Sequence, residues 1–167
     1  PNSGEIDIIE GVNGQKSNAV TLHTAKGCNM DVSGSESTAN QTSADCEDSD
    51  AGCSQGTTSA NNYGAAFNAN GGGVYVTEWA SLSIIVWFFP RGSAAANAVI
   101  NAGPGDLDVA KFGAPLARFE GNTCDIAERF KSNYIIFNTN FCGGCEYPQN
   151  CSGGVSTNFY RGFERIP

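Results

Sequence analysis

The stretch that most constrains the fold comes first in the chain: Gly4-Glu5-Ile6-Asp7-Ile8-Ile9-Glu10-Gly11, three carboxylates interleaved with isoleucines. β-Branched side chains favour an extended backbone, and in a strand residues two apart share a face, so Glu5 and Asp7 point the same way. Strict alternation sends Glu10 to the opposite face. One extra residue at Ile8-Ile9, a β-bulge, turns it back, and bulges are over-represented next to active sites. A bulged strand would gather all three acids into one ladder.

A reaction that needs two carboxyls close together is glycoside hydrolysis with retention, in which about 5 to 5.5 Å separates a nucleophile from a general acid/base. Ionised together at that spacing, two carboxylates repel by on the order of 3 kcal/mol at an effective dielectric near 20, equivalent to roughly two pKa units. One of the pair is therefore expected to hold its proton. The roles that follow are Glu5 as nucleophile, Asp7 as a modulator hydrogen-bonded to it, and Glu10 as acid/base. A solvated edge strand that merely carries three acids fits the spacing equally well.

At 167 residues the chain is expected to be one domain with a sizeable core. Charged residues make up only 16% and glycines number 21, which suits a loop-rich all-β protein better than a helical one. The net charge of −8 argues against a nucleic acid or an anionic membrane as partner. A neutral polysaccharide meets no such objection. Seven cysteines beside a single histidine read as a disulfide framework in an oxidising compartment, with neither a metal site nor a cofactor expected. Cys142-Gly143-Gly144-Cys145 has redox spacing but no βαβ context, so structural bridges are the default there. The chain begins at Pro1 without a methionine, so its N-terminus is expected to lie upstream, and secretion is argued from the cysteines. The most apolar run, Leu82 to Pro90, is far shorter than the roughly 20 residues of a membrane span and reads as a buried strand.

Along the chain, Ala19 to Thr24 reads as the next strand, with His23 near its end. Gly27 to Ala60 is rich in Ser, Thr, Asp and Asn and reads as a long loop that Cys28, Cys46 and Cys53 would staple. Its acidic run, Asp45 to Asp50, lacks the closing glutamate of a calcium loop and is expected to be solvated. Asn40 and Asn150 stand in glycosylation acceptor triplets. Val74 to Trp79 alternates, with Tyr75, Thr77 and Trp79 on one face, and Leu82 to Phe89 is its hairpin partner. Sugar rings stack on aromatic faces, which makes Trp79 a candidate glucosyl platform; Trp87 is a second candidate but could equally be core between sheets. Gly92 to Gly105 reads as a surface loop, Asp125 to Lys131 as a short helix capped by Asn122 or Thr123, and Tyr134 to Asn138 as a strand. Short strands with turn punctuation and little helix indicate a β-sandwich.

These residues also carry a family resemblance. GEIDIIEG resembles the catalytic signature of glycoside hydrolase family 16, in the ExDxxE form of its laminarinase-like branch, especially fungal secreted endo-β-1,3(4)-glucanases. Thr21-Leu22-His23-Thr24, Phe67 to Gly73, Glu78-Trp79, Val86 to Arg91, Asn122 to Ile126 and Asn138 to Gly143 are similar to that branch in the same order. The similarity runs from Pro1 to about Gly143. Residues 144–167 diverge, and Gly144-Cys145-Glu146-Tyr147 stands where the family usually has an Asp-Trp pair.

The resemblance implies a concanavalin-like jelly roll, present here as a partial catalytic domain that lacks its N-terminal part. It implies catalysis by Glu5, Asp7 and Glu10, and substrate contacts from His23, Trp79 and Trp87. Without it, a structural histidine capping a loop would serve as well for His23. The implied activity is retaining endo-hydrolysis of β-1,3 or mixed β-1,3/1,4 glucans by a secreted, extracellular monomer, with no membrane or nucleic acid involved. A glucan-binding remnant, an inactive fragment and a transglycosylase are the alternatives.

Overall fold

The computed structural model describes residues 3–12, 14–30, 36–47, 51–121 and 123–139. Asn122, the Cys142-Cys145 spacing, the Asn150 acceptor and the divergent segment 144–167 lie outside the described residues. The chain divides into two compact units, Pro1–Tyr134 and Ile135–Pro167, and every strand among the described residues lies in the first.

Among the described residues seven antiparallel strands form two sheets, accompanied by the helices α1 (Gly64–Ala69), α2 (Ala94–Asn101) and α3 (Ile126–Arg129). The first holds β1 (Glu5–Glu10), β2 (Ala19–His23), β3 (Asn40–Ser43) and β4 (Cys53–Gly56) in the order β1-β2-β4-β3. The second holds β5 (Gly73–Trp79), β6 (Ser83–Pro90) and β7 (Ala117–Glu120) in sequence order. Alternation decides what each face meets. Val20 and Leu22 of β2 and Cys53 of β4 turn inward against Ile84 and Val86 of β6 and Ala117 and Phe119 of β7. Helix α3 (Ile126–Arg129) closes this core with Ile126 and the following Phe130. Removing a side chain the size of Leu22 or Phe119 from water contributes about 1.5 to 3 kcal/mol. The result is the expected sandwich.

The other face of β6 presents Ile85, Trp87 and Phe89 to a second apolar cluster, under helix α2 (Ala94–Asn101) and the 3₁₀ turn Val109–Lys111. Gly92 to Gly105 is thus not all loop. Ser93 caps α2 by accepting from the Ala96 amide at 3.1 Å, and the alanines that follow are strong helix formers.

Three further expectations are corrected. The polar segment after Gly27 contains β3 and β4, whose short sequences NQTS and CSQG carry no apolar alternation. They are held by the β2 ladder and by two disulfides, Cys28–Cys124 and Cys46–Cys53. Helix α3 is capped by Asp125, which accepts from the Glu128 amide at 3.1 Å. Tyr134 to Asn138 forms no strand; among the described residues no neighbour offers it a ladder, and Ile135 and Phe137 stand exposed.

One buried polar residue ties the sheets together. Gln55 of β4 donates through Nε2 to the Arg118 carbonyl at 2.6 Å and accepts from the Arg118 amide at 3.2 Å. Its carboxamide supplies both partners of a peptide group to β7, which satisfies backbone groups that burial would otherwise leave unpaired.

Candidate active site

β1 runs at one edge of the four-stranded sheet. Ile6 and Ile8 pack against the core between the sheets, so Glu5 and Asp7 face outward from it. Glu5 lies opposite His23 and Asp7 opposite Thr21, but the next rung pairs Glu10 with Ala19. β1 therefore spends three residues where β2 spends two, the signature of one extra residue. The bulge turns Glu10 back, and one ligating atom each of Asp7, Glu10 and His23 lies within 4.8 Å of the others. His23 Nε2 stands 3.5 Å from Asp7 Oδ2, an ion pair when the imidazole is protonated.

The electrostatic consequence falls on the middle acid. Burial first, then the charges of Glu5 and of Glu10, push the Asp7 carboxyl from its ordinary 3.8 up to about 6, while His23 draws it partly back. Asp7, between the two glutamates, thus keeps its proton up to about pH 6.

A residue overlooked in the sequence seats the histidine. Gly52, immediately before β4, has φ +67°, and a Cβ there would come within 2.6 Å of the Leu22 carbonyl and 2.7 Å of the His23 ring. Only glycine adopts that backbone cheaply while leaving room for the imidazole. Its signal was the glycine itself, set between Ala51 and Cys53.

Neither tryptophan joins this group. Trp87 is 5% exposed, its ring meets Phe112 edge-on, and its Nε1 donates to the Gly113 carbonyl at 3.1 Å. It is core, though between the second sheet and its helices, and no sugar face can reach it. Trp79 is 44% exposed at the end of β5. It shares a face with Tyr75, which packs into the core between the sheets, whereas the carboxylates occupy the outer face of the other sheet. The face carrying the acids holds Ser54 and the buried Thr21, with hydroxyls 3.0 Å apart.

Asp7, Glu10 and His23 also form a mixed oxygen and nitrogen donor set of the kind that takes a divalent cation. Acid–base chemistry requires the same closeness, and nothing beyond proximity favours a metal.

Comparison with known proteins fits this geometry. A probable endo-1,3(4)-β-glucanase of Aspergillus fumigatus is 45% identical over 146 residues, which cover 86% of this chain and 21% of that protein. A probable glycosidase of Schizosaccharomyces pombe is 38% identical over 174 residues, 95% of this chain and 40% of the relative. Among solved structures, a family 16 laminarinase of Phanerochaete chrysosporium, with β-glucans in its donor and acceptor sites, superposes with a TM-score of 0.71 at 44% identity. The match covers 78% of this chain and 44% of that one. An elongating family 16 β-1,3-glucosyltransferase gives a TM-score of 0.68 at 41% identity, covering 78% and 42%. The fold is accordingly the jelly-roll sandwich of those laminarinases, and the chain spans from a fifth to under a half of the length of these relatives. The model of the XgeA-like catalytic domain matches residues 1–158, and the chain belongs to glycoside hydrolase family 16.

Proposed function

We propose that this chain carries the catalytic strand of a retaining endo-β-glucanase that cleaves β-1,3 or mixed β-1,3/1,4 glucans. The observation that carries the reading is the bulge in β1, which brings Glu10 beside Asp7 and His23 on the face that Glu5 shares. A strand needed only for its solvated edge gains nothing from losing a rung of its ladder to regroup like charges.

In this reading Glu5 attacks the anomeric carbon while Glu10 protonates the departing glycosidic oxygen, leaving a glycosyl ester on Glu5. Glu10, now ionised, takes a proton from water, which attacks the same carbon and releases a product of unchanged anomeric configuration. Asp7 tunes the pair. Protonated, it keeps one negative charge out of the ladder while Glu5 is ionised. Once the ester has consumed the charge of Glu5, the negative charge beside Asp7 passes to the newly ionised Glu10, the other glutamate whose charge favours the protonated form of Asp7. His23 Nε2 lies 3.5 Å from the Asp7 carboxyl. The two disulfides and the fungal glucanase relatives support action outside the cell.

The test is reducing-sugar release from laminarin and lichenan by the purified chain, Glu5→Gln and Glu10→Gln. Release by the parent and a loss of about 10³-fold or more in both variants is expected. Activity that survives in either variant overturns the assignment. A second reading, sugar transfer from the same ester to a carbohydrate acceptor, is favoured by the similarity to the elongating glucosyltransferase. Products longer than the laminari-oligosaccharide supplied would distinguish it.

A further inference from the structure

Turning Glu10 onto the acidic face opens a gap in the backbone ladder, and one side chain fills it. Asn18, the residue before β2, is 1% exposed. Its Nδ2 donates to the Ile8 carbonyl at 2.8 Å and its Oδ1 accepts from the Glu10 amide at 2.9 Å. A carboxamide carries the same donor and acceptor as a peptide group, so Asn18 stands in for the rung that the extra residue displaced.

Asn18 is itself fixed. Its amide donates to Asn62 Oδ1 at 3.3 Å, and its carbonyl accepts from the Thr57 amide and from Thr57 Oγ1, each at 2.9 Å. Thr57 Oγ1 also reaches Asn62 Oδ1 at 3.1 Å, and the Asn62 carbonyl accepts from the Tyr75 hydroxyl of the second sheet. On the other side of the bulge, Gln15 Nε2 donates to the Glu10 carbonyl at 3.2 Å and to the Ser17 carbonyl at 2.7 Å. Both backbone groups of Glu10 are therefore held by side-chain amides, while its carboxylate stays exposed to solvent.

We infer that Asn18 is a positioning residue for Glu10: by bridging Ile8 and Glu10 it holds the bulge that keeps the acid/base carboxyl on the face of Glu5 and Asp7. The inference rests on the reading of Glu10 as acid/base. Aspartate in its place has the same shape but lacks the donor and would set a charge against the Ile8 carbonyl. Alanine loses both bonds, and glutamine is one methylene too long to bridge the same two groups.

Aryl β-laminaribiosides separate positioning from general stability. A dinitrophenyl glycoside departs without a proton, whereas a phenyl glycoside needs the acid. Asn18→Asp and Asn18→Ala are expected to lower kcat/KM for the phenyl glycoside on the order of 10²-fold more than for the dinitrophenyl one, as Glu10→Gln does. If Glu10→Gln shows this selectivity and the Asn18 variants slow both substrates equally, the positioning role is overturned while the acid/base reading stands. If Glu10→Gln slows both equally, the acid/base reading itself fails. Amide hydrogen exchange in the free protein tests the bridge without turnover. The Glu10 amide is expected to exchange at least tenfold faster in Asn18→Asp, with the amides of β6 unchanged. Equal exchange at Glu10 in parent and variant contradicts the inference.

Discussion

Replacing Asp7 with asparagine is expected to stabilise the protein at neutral pH while weakening catalysis. The folded protein holds the Asp7 proton up to about 6, against an ordinary value of 3.8. The folded state therefore binds this proton more tightly than the unfolded chain does. The contribution to stability is fully present below about pH 4 and is lost as pH rises through about 6. A difference of roughly two units corresponds to about 3 kcal/mol at most. The Asp7 side chain is 26% exposed, so water screens part of that, and about 1 to 2 kcal/mol is the expected cost of ionising it in the fold. An amide never ionises and avoids the cost. Urea unfolding at pH 8 should therefore show Asp7→Asn to be more stable than the parent by that amount, with the two curves converging below pH 4. A variant equal to or weaker than the parent at pH 8, or a gap that persists undiminished at pH 4, refutes the account of Asp7 as a carboxyl held protonated by burial and by its two neighbours.

Gly52→Ala should cost about 2 to 4 kcal/mol in urea unfolding, because it combines a left-handed backbone with contact against the Leu22 carbonyl and the His23 ring. Trp87→Phe should lower the thermal midpoint through loss of the Gly113 hydrogen bond, worth about 1 kcal/mol, and leave KM for laminarin unchanged; a raised KM would restore its role as a sugar platform. The disulfides should differ in weight: Cys28→Ser opens a link spanning 96 residues and is expected to cost about 4 to 5 kcal/mol, against about 2 to 3 for Cys46→Ser, whose link spans 7.

The strand, the bulge and the hairpin were legible because each writes its period into local sequence. Isoleucines alternating with acids mark β1, and the Val74 to Phe89 region is long and apolar enough to register as two strands. The strands β3 and β4 left no such trace. Their stability comes from neighbouring ladders and disulfides, which are long-range facts, and Gln55 is buried through an amide bonded to a residue far along the chain. The surroundings of Trp79 and Trp87 were not legible for a related reason. Alternation assigns a residue to a face, but only the stacking of the two sheets decides which face looks at the carboxylates. Asn18 escaped notice because an asparagine before a strand reads as turn punctuation, and its work is done across the bulge, eight and ten residues upstream.

The central claim is that the bulged strand delivers Glu5 as a nucleophile beside Glu10. Its most direct test is to incubate the chain with a fluorinated laminaribiosyl fluoride, which forms the glycosyl ester readily but hydrolyses it slowly, and to locate the label by peptide mass mapping. The account predicts a single glycosyl adduct on Glu5, retained when Asn18 is changed because the activated fluoride departs without the acid, and absent in Glu5→Gln. An adduct on another residue, or turnover of laminarin with no adduct formed, would contradict it.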